Sequence, residues 1–457
     1  MTNYNSFSPT DELWIPKVPS HWKTSKIKYV FMERSEKGYP QEVLLVASQN
    51  MGVVPKNVYG NRTVEPQKDL HLLKLVKRGD FVISLRSFQG GIELAHYQGI
   101  ISPAYTVMIP NAQITEGYAK YLFKSSSFIW LLQKCVTGIR EGQNVDYGKL
   151  KNHKIPLPPH DEQDQIVRFL DWKVSGINKL IWIKRKQIAE LEEMKKICIN
   201  DAVTGKTLTC TDTKDSGFDF IGEIPSPWEV IKLKWLLTTS LQYGANATGI
   251  EFDASLPRYI RITDITIDNK LKETGKLSLP SKDALPYMLE DNDILFARSG
   301  ATVGKSFIYK KKYGISAFAG YLIRAKIDTN KALPEFVYAI TLSKFYELWK
   351  NKIFIQATIQ NISAEKYNNL PIPLPPIEEQ KELVQIINHK VDAIETMIAK
   401  IEQYIKELTD LKFCLIADVV TGKIDVRNVE IPEYEFVEEV GIEDADEESD
   451  DNDEQEE

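Results

Sequence analysis

The chain has 457 residues, enough for two or three domains, and its 43% hydrophobic and 10% aromatic content is ordinary for a soluble globular protein. No apolar run approaches the roughly 18 residues needed to span a bilayer, and the polar N-terminus lacks the apolar region of a signal peptide. These features exclude a membrane-spanning protein, and we expect a cytoplasmic one. The four cysteines and six histidines show no metal-ligand spacing, so neither a zinc site nor a disulfide framework is expected.

The formal net charge of −7 conceals an uneven distribution. From Glu433 to Glu457 there are 15 acidic residues and no basic ones, so residues 1–432 carry a net charge of +8. The composition of residues 424–457 predicts an acidic, disordered tail. The basic body permits a nucleic-acid partner without proving one.

The first globular segment is expected over residues 1–155. It opens with Pro19-Ser-His-Trp22 followed by alternating lysine and apolar residues, which is typical of a turn that enters an edge strand. Short apolar or alternating runs follow, such as 80–85 and 105–109, and glycine, proline and asparagine separate them. This pattern indicates a mixed sheet of short strands. A helical pattern from 117 to 133 ends the segment.

A long helix is predicted over residues 156–206. Pro158-Pro159 suits the positions just before or at a helix start, and the acidic Asp161-Glu162 suits the first turn, where the helix dipole favours negative charge. Gly205 occupies the place expected for a left-handed residue after the last turn. A helix of about 40 residues is about 60 Å long.

This stretch occurs twice in the chain. After a polar linker, 207–219, and a second globular segment, 220–371, the motif Ile-Pro-Leu-Pro-Pro that starts at Ile155 returns at Ile372 and opens a second long helix, 372–423. An internal repeat decides the architecture, so two similar halves are expected.

The repeat covers only part of each half. The copies align without a gap from about residue 116 to 206, and upstream of this range only the openings around Trp22 and Trp228 correspond. Each half therefore combines a constant frame with a variable part.

Both long helices carry an apolar stripe. In the second copy the stripe steps 4-3-4-3, which is a coiled-coil seam, and the first copy keeps the same frame except at Lys184. The stripes comprise Ile394, Ile398, Ile401, Ile405 and Leu408, and Ile177, Ile181, Ile188 and Leu191. We expect the helices to pack on each other as an antiparallel pair about a pseudo-two-fold axis; the alternative is that each stripe packs on its own globular segment. The predicted fold class is α+β, with two globular α/β domains joined by two long antiparallel coiled-coil helices.

The stretch Gly300-Ala-Thr-Val-Gly304-Lys305-Ser306 ends like a phosphate-binding P-loop. That motif needs four residues between its glycines and leads from a strand into a helix. Here three residues separate Gly300 from Gly304, and strand-like runs lie on both sides. Nucleotide binding is therefore not expected, and no recognisable acid/base, nuclease or nucleophile motif occurs elsewhere.

The best candidates for DNA contact lie in two loops, each of which follows an acid-led strand and places arginine and serine before glycine. Arginine can donate two hydrogen bonds to guanine, and glutamine can pair with adenine. The candidates are Arg86, Ser87 and Gln89 in the first half, and Arg298, Ser299, Thr302 and Lys305 in the second. Arg261 and Thr263 are added because they would project from one side of a strand. The alternative is that these are ordinary surface loops with solvated arginines.

The repeated motifs resemble a known family. The doubled Pro-Leu-Pro-Pro-x-x-Glu-Gln before a long helix that ends in Val-Thr-Gly-Lys resembles the DNA-specificity subunits of type I restriction–modification systems. Three further features support the resemblance: the Pro-Ser-x-Trp openings, Tyr259-Ile-Arg-Ile-Thr-Asp-Ile265, and Ala297-Arg-Ser-Gly-Ala-Thr-Val-Gly-Lys305. It covers nearly the whole chain except the acidic tail.

The resemblance implies that each half carries a target-recognition domain and that the long helices form a conserved spacer. It implies double-stranded DNA, two methylation subunits and restriction subunits as partners, with an asymmetric split DNA site as the target. It also implies that the chain itself is non-catalytic and binds no cofactor. S-adenosylmethionine and ATP would be used by the partner subunits. The competing hypotheses are a two-lobed coiled-coil scaffold without DNA, and a single-chain DNA methyltransferase or nuclease.

Overall fold

The computed structural model describes residues 3–49, 51–59, 69–138, 144–207, 212–266, 269–300, 302–355 and 361–437. Residues 208–211 of the expected linker and 438–457 of the expected tail lie outside these ranges. The chain forms two compact units, one built from Met1–Lys186 and Glu402–Glu457, the other from Gln187–Ile401. Each long helix therefore contributes a part to both units.

Short strands and short helices build the globular part of each unit. The strands of the first unit are Phe7–Pro9, Lys17–Pro19, Lys23–Lys26, Phe31–Arg34, Leu45–Ser48, Gly52–Pro55, Lys74–Val76, Phe81–Ile83, Glu93–Leu94, Gly99–Ile101, Thr106–Pro110, Val136–Thr137, Asn144–Val145 and Lys154–Leu157. Its helices are Ile27–Val30, Lys56–Tyr59, Leu70–Leu72 (3-10), Ser87–Gly90, Glu116–Lys124, Ser126–Lys134 and Tyr147–Leu150.

The second unit is also built from short strands and short helices. Its strands are Thr213–Asp215, Glu223–Pro225, Glu229–Lys232, Gln242–Tyr243, Ile250–Glu251, Arg258–Ile260, Leu277–Ser278, Ile294–Ala297, Ser306–Ile308, Ser316–Phe318, Leu322–Ala325 and Pro371–Leu374. Its helices are Leu233–Leu236 (3-10), Ile262–Asp264 (3-10), Ser281–Ala284, Leu285–Tyr287 (3-10), Lys311–Tyr313 (3-10), Pro334–Ile340, Lys344–Ile355 and Ala364–Asn368.

The main sheet has the same strand order in both units. In the first unit the order is Phe31–Arg34, Thr106–Pro110, Phe81–Ile83, Glu93–Leu94; in the second it is Gln242–Tyr243, Leu322–Ala325, Ile294–Ala297, Ser306–Ile308. All these pairs are antiparallel. The units differ beyond this sheet, because the second adds a four-stranded sheet where the first has separate two-stranded pairs.

The proline motif fastens each long helix to its own globular part. The motif strand Lys154–Leu157 pairs antiparallel with Lys23–Lys26, just after Trp22, and Pro371–Leu374 pairs in the same way with Glu229–Lys232. The indole N–H of Trp22 donates to Glu162 at 3.0 Å. The second half repeats this bond from Trp228 to Glu379 at 2.8 Å.

The glutamine of the motif is buried and makes the same pair of hydrogen bonds in both halves. The amide oxygen of Gln163 accepts from the backbone N–H of Thr115 at 2.8 Å, and its amide nitrogen donates to the Pro158 carbonyl at 2.9 Å. Gln380 repeats this with Leu333 at 2.7 Å and the Pro375 carbonyl at 2.8 Å. Thr115 and Leu333 each precede the first residue of a helix, so the glutamine satisfies a backbone donor at equivalent places.

The helical pattern before the motif forms two helices in each half rather than one. Ser125 interrupts the first pattern: its hydroxyl donates to Leu122 O at 2.7 Å and accepts from Phe128 N at 3.3 Å, so it starts a new helix. Ser343 does the same between Pro334–Ile340 and Lys344–Ile355.

The long helices span His160–Val203 and Ile377–Val420, with 44 residues each. Gly205 and Gly422 follow them with φ of +80° and +75°, which confirms the left-handed position predicted from the sequence. A Cβ at Gly205 would lie 2.3 Å from Pro225 Cγ, and one at Gly422 would lie 2.3 Å from Pro19 Cδ. Glycine is therefore required both for its backbone conformation and for the close approach.

In the first unit, increasing residue number on the first long helix meets decreasing number on the second. In the first unit Lys412 Nζ lies 3.5 Å from Asn178 Oδ1, and Lys184 lies over the Tyr404 ring. In the second unit Lys195 and Glu395 form an ion pair at 3.3 Å. The stripe residues Ile177, Ile181 and Leu408 pack together in the first unit.

The starts of the long helices, which precede the stripe residues, pack on the globular parts. Ile166, Phe169 and Leu170 of the first helix belong to the core of the first globular part. Leu383 and Ile387 of the second helix belong to the core of the second. Each helix thus packs first on its own globular part and then on the other helix.

The prediction of a disordered tail from residue 424 is wrong for its first part. Val426 is fully buried in the core of the first unit, and Gln165 Nε2 donates to the carbonyls of Val426 and Val429 at 3.0 and 2.8 Å. Ser175 Oγ donates to Glu435 O at 2.9 Å. Composition did not reveal this segment because a few apolar side chains and backbone bonds hold it.

Among the described residues, no helix is long and apolar enough to cross a membrane.

Candidate nucleic-acid interface

The second candidate loop is the connection of a β-hairpin. Ile294–Ala297 pairs antiparallel with Ser306–Ile308, and Ala297 and Gly304 close the loop through Gly304 N to Ala297 O at 2.8 Å. The hydroxyl of Ser306 is buried against that of Thr341, at 2.5 Å. The loop thus leads from one strand into another, and the Ser306 hydroxyl is already hydrogen-bonded. It lacks the strand-to-helix geometry of a P-loop, as the spacing predicted.

The first candidate loop occupies the same place in its sheet, but it folds into a short helix. It leaves Phe81–Ile83, forms the helix Ser87–Gly90 and enters the edge strand Glu93–Leu94. Arg86 and Gln89 are exposed there. Ser87 is only 1% exposed, and its hydroxyl accepts from Ser84 N at 2.8 Å. Ser87 therefore shapes the loop through this bond, and its contact with DNA stays a prediction.

A buried aspartate precedes each loop strand and engages an arginine from another strand of the main sheet. In the first unit Arg34 makes a two-pronged contact with Asp80, at 2.8 and 3.1 Å. In the second unit Arg324 lies 3.7 Å from Asp293, and burial raises the pKa of the Asp293 carboxyl. These acids fix the strands that carry the loops, which explains the acid-led pattern in the sequence.

Arg298 directly follows the hairpin strand, and its backbone is held on both sides. Its N–H donates to Tyr321 O at 3.0 Å, and its carbonyl accepts from Ile362 N at 2.9 Å. Its guanidinium lies over the ring of Tyr243, 5.0 Å from the centroid. Arg298 is half-buried, and its Nε has no hydrogen-bond partner among the described residues.

The other loop residues are partly exposed. Ser299 forms an antiparallel bridge with Asn361, and Thr302 O accepts from Lys305 N at 3.0 Å. Lys305 Nζ lies 3.4 Å from Thr266 O. The structure therefore brings Arg298, Ser299, Thr302 and Lys305 together on one loop.

Arg261 and Thr263 do not lie on a strand, contrary to the sequence prediction. The strand ends at Ile260, and residues 262–264 form a 3-10 turn. The Arg261 guanidinium binds the Asp264 carboxylate, with Nη2 to Oδ1 at 2.8 Å. This ion pair holds the turn, whereas Thr263 is exposed. Arg261 therefore serves the local structure through this contact, since arginine fits a carboxylate with two donors.

Sequence reasoning missed Tyr243 and Asn361. Tyr243 lies in a two-residue strand, and Asn361 follows a stretch without a distinctive pattern. Asn361 meets the loop through its bridge to Ser299, and Tyr243 meets it through the contact of its ring with Arg298. Within the described ranges, no group of three or more His, Cys, Asp or Glu side chains is arranged to hold a metal ion. The site offers hydrogen-bond donors and positive charge, which suit recognition of phosphates and base edges.

Comparison with known proteins places the chain in a family. The model for the type I restriction modification DNA specificity domain matches residues 19–193 and 258–407. The specificity subunit of the type I restriction enzyme MjaVIII from Methanocaldococcus jannaschii is 26% identical over 362 residues, covering 78% of this chain and 81% of that protein. The putative MjaX specificity subunit of the same organism is also 26% identical, covering 90% and 96%.

The fold matches a solved chain from a study of complex assembly and conformational transition of the type I R-M system. The TM-score is 0.61 at 16% identity, with 89% of this chain and 99% of that chain covered. This likeness shows a shared fold with mixed α and β content. The family match carries the function, since it covers most of the chain in both halves. The chain belongs to the type I restriction–modification DNA specificity family and is a DNA sequence-recognition subunit of such a system.

Proposed function

We propose that each half of the chain reads one part of a split, asymmetric DNA site, and that the two long helices set the distance between the two parts. The observation that carries this proposal is the pair of loops at one place in equivalent sheets. Both leave the third strand of a sheet with the same strand order, yet one presents Arg86 and Gln89 and the other Arg298, Ser299, Thr302 and Lys305. Different side chains on one frame suit two different base sequences.

The long helices, as an antiparallel coiled-coil spacer with pseudo-two-fold symmetry, would act as a ruler. Their duplicated ends support this role, because Gly205 packs on the opening of the second half and Gly422 on that of the first. A rigid spacer anchored at both ends keeps a fixed separation. Insertion of one helical step in both helices should then lengthen the unread gap and leave both half-sites unchanged.

The same helices would dock two methylation subunits. Leu180 and Met397 occupy equivalent positions of the repeat and are 44% and 53% exposed. Met194 and Leu411 form a second equivalent pair, 53% and 55% exposed. Large apolar side chains left in water at duplicated positions favour two equivalent partners. The chain itself would be non-catalytic, with S-adenosylmethionine and ATP bound by methylation and restriction subunits.

Co-expression with the methylation subunit, followed by mapping of methylated adenines, tests the proposal. A split site should appear, and replacement of residues 220–371 by the segment of a relative should change one half-site only. A change in both half-sites would contradict independent reading. Methylation or cleavage by the purified chain alone would contradict a non-catalytic role. If the protein shows no DNA binding that weakens with added salt, a scaffold that does not bind DNA would be favoured instead.

A further inference from the structure

Tyr243, whose ring contacts Arg298, has a non-aromatic residue at its equivalent position in the first half. Arg34 pairs with Val107, and Gln242 pairs with Arg324. Val107 and Arg324 in turn pair with equivalent residues of the next strand, so Arg34 and Gln242 occupy equivalent positions in the two sheets. The residue after Gln242 is Tyr243, whereas the residue after Arg34 is an exposed serine, Ser35. This register position therefore carries an aromatic ring in the second half and a serine in the first.

The Tyr243 ring is itself held at both ends. Its backbone pairs with Ile323 in the main sheet. Its hydroxyl accepts from the backbone N–H of Ala364 at 3.1 Å, at the start of the helix Ala364–Asn368. A ring fixed by its backbone and by its hydroxyl is a rigid support, although 40% of its surface is exposed.

The Arg298 side chain lies against this support. Its Cζ is 5.0 Å from the ring centroid, within the range of a cation–π contact. Its Nε is buried and has no hydrogen-bond partner in the described part of the chain, so no bond at that atom fixes the guanidinium. The ring face is therefore the contact that sets its orientation.

We propose that Tyr243 is a positioning residue that holds the Arg298 guanidinium for the reading of one guanine in the half-site of the second half. The proposal rests on the proposed function. Guanidinium carries donors and no acceptor, and guanine presents two acceptors, O6 and N7, in the major groove. A side chain already oriented for that pair loses less conformational entropy on binding.

The test compares the full chain, purified with its methylation subunits, with Tyr243→Ala, Tyr243→Phe and Arg298→Ala. Methylation rates are measured on the cognate duplex and on duplexes with one base pair replaced at each recognised position. Tyr243→Ala should lower discrimination about five-fold at one G·C position of one half-site, as expected for loss of a cation–π contact. Arg298→Ala should lower it at the same position, and Tyr243→Phe, which keeps the ring, should retain it.

Phe252→Ala is the matched control. Phe252 is 43% exposed and lies under Lys276 at 5.4 Å, so the substitution removes a contact of the same kind in the same unit. It should leave discrimination unchanged at every position. An equal effect of Phe252→Ala and Tyr243→Ala would overturn the proposal.

A double variant separates positioning from stability. If Tyr243 acts through Arg298, Tyr243→Ala should have no further effect on discrimination once Arg298 is alanine. An additional loss, a uniform loss over all positions, or unchanged discrimination in Tyr243→Ala would each refute the positioning role. A wild-type complex that methylates all substituted duplexes equally would instead refute the proposed function itself.

Discussion

The two halves of the molecule share their frame and differ in how they present an arginine. In both, a buried glutamine, Gln163 or Gln380, joins the long helix to the start of a shorter helix, and a tryptophan donates to a glutamate of the proline motif. The loop residues do not repeat their contacts in this way. Arg298 lies over a tyrosine ring in a hairpin, while Arg86 precedes a four-residue helix.

This difference indicates which parts of the molecule are free to change. The frame contacts combine burial with specific hydrogen bonds, so replacement of one partner leaves a buried polar group without a bond. The loop contacts lie at the edge of the main sheet, where a hairpin and a short helix are both compatible with the same strand order. Different loops are therefore compatible with the same frame.

The largest expected effect comes from substitution of the glycines that follow the long helices, and it shows whether the two frames are equivalent. Gly205→Ala and Gly422→Ala should each destabilise the protein by about 2–4 kcal/mol, because alanine is strained at positive φ and its Cβ would overlap a proline ring. Calorimetric unfolding of the full chain measures the effect. Gly217→Ala is the control, since Gly217 also has positive φ, +77°, but no atom lies within 4 Å of the place its Cβ would take. If Gly205→Ala cost no more than this control, close packing at the helix end would be unimportant.

The second prediction concerns the buried amides. Gln163→Leu and Gln380→Leu should each cost about 2–3 kcal/mol, since each leaves a buried backbone N–H without its acceptor. Urea unfolding of both variants should give similar losses. Gln403→Leu, at an exposed position of the second long helix, should have little effect. A large loss in only one half would show that the two frames are not equivalent.

The third prediction separates the two loops. Arg298→Ala should reduce discrimination by about 1–3 kcal/mol at one position of one half-site, and Arg86→Ala should act on the other half-site. Sequencing of methylated sites in cells that express each variant measures both. A uniform loss over all sequences would identify the arginine as a phosphate contact instead.

The last prediction concerns the pH dependence of stability in the first half. Burial raises the pKa of the Glu93 carboxyl to about 7, although Lys124 beside it opposes the shift. The folded protein then holds a proton that the unfolded chain releases above its ordinary pKa of about 4.5. Stability from this group is complete below pH about 4.5 and is lost as pH rises through about 7, by at most about 1.4 kcal/mol per pH unit.

Glu93→Gln should flatten this dependence of unfolding on pH. The equivalent position in the second half is Phe307, which pairs with Leu295 as Glu93 pairs with Val82 and does not titrate. Unfolding curves of wild type and variant from pH 4 to 8 test the prediction. An unchanged slope in the variant would assign the pH dependence to another group.

Much of the architecture could be predicted from the sequence because it depends on local patterns. The left-handed Gly205 and Gly422, the helix starts after paired prolines and the strands on both sides of Gly300 and Gly304 all follow from spacing and residue type. The breaks at Ser125 and Ser343 were missed, because a serine inside an apolar pattern starts a new helix only when its hydroxyl finds the right backbone partners. The packed segment from Ile424 to Val437 was missed because its acidic composition outweighed Val426.

By itself, the sequence determined the repeat, the two long helices, the position of both loops and the resemblance to a specificity subunit. These features are carried by residues close together in the chain or repeated at a fixed distance. Only the tertiary structure decided which of the candidate polar side chains are buried or paired within the protein. It buried Ser87, paired Arg261 with Asp264 and placed Tyr243 under Arg298, because strand pairing joins residues that lie far apart in the chain.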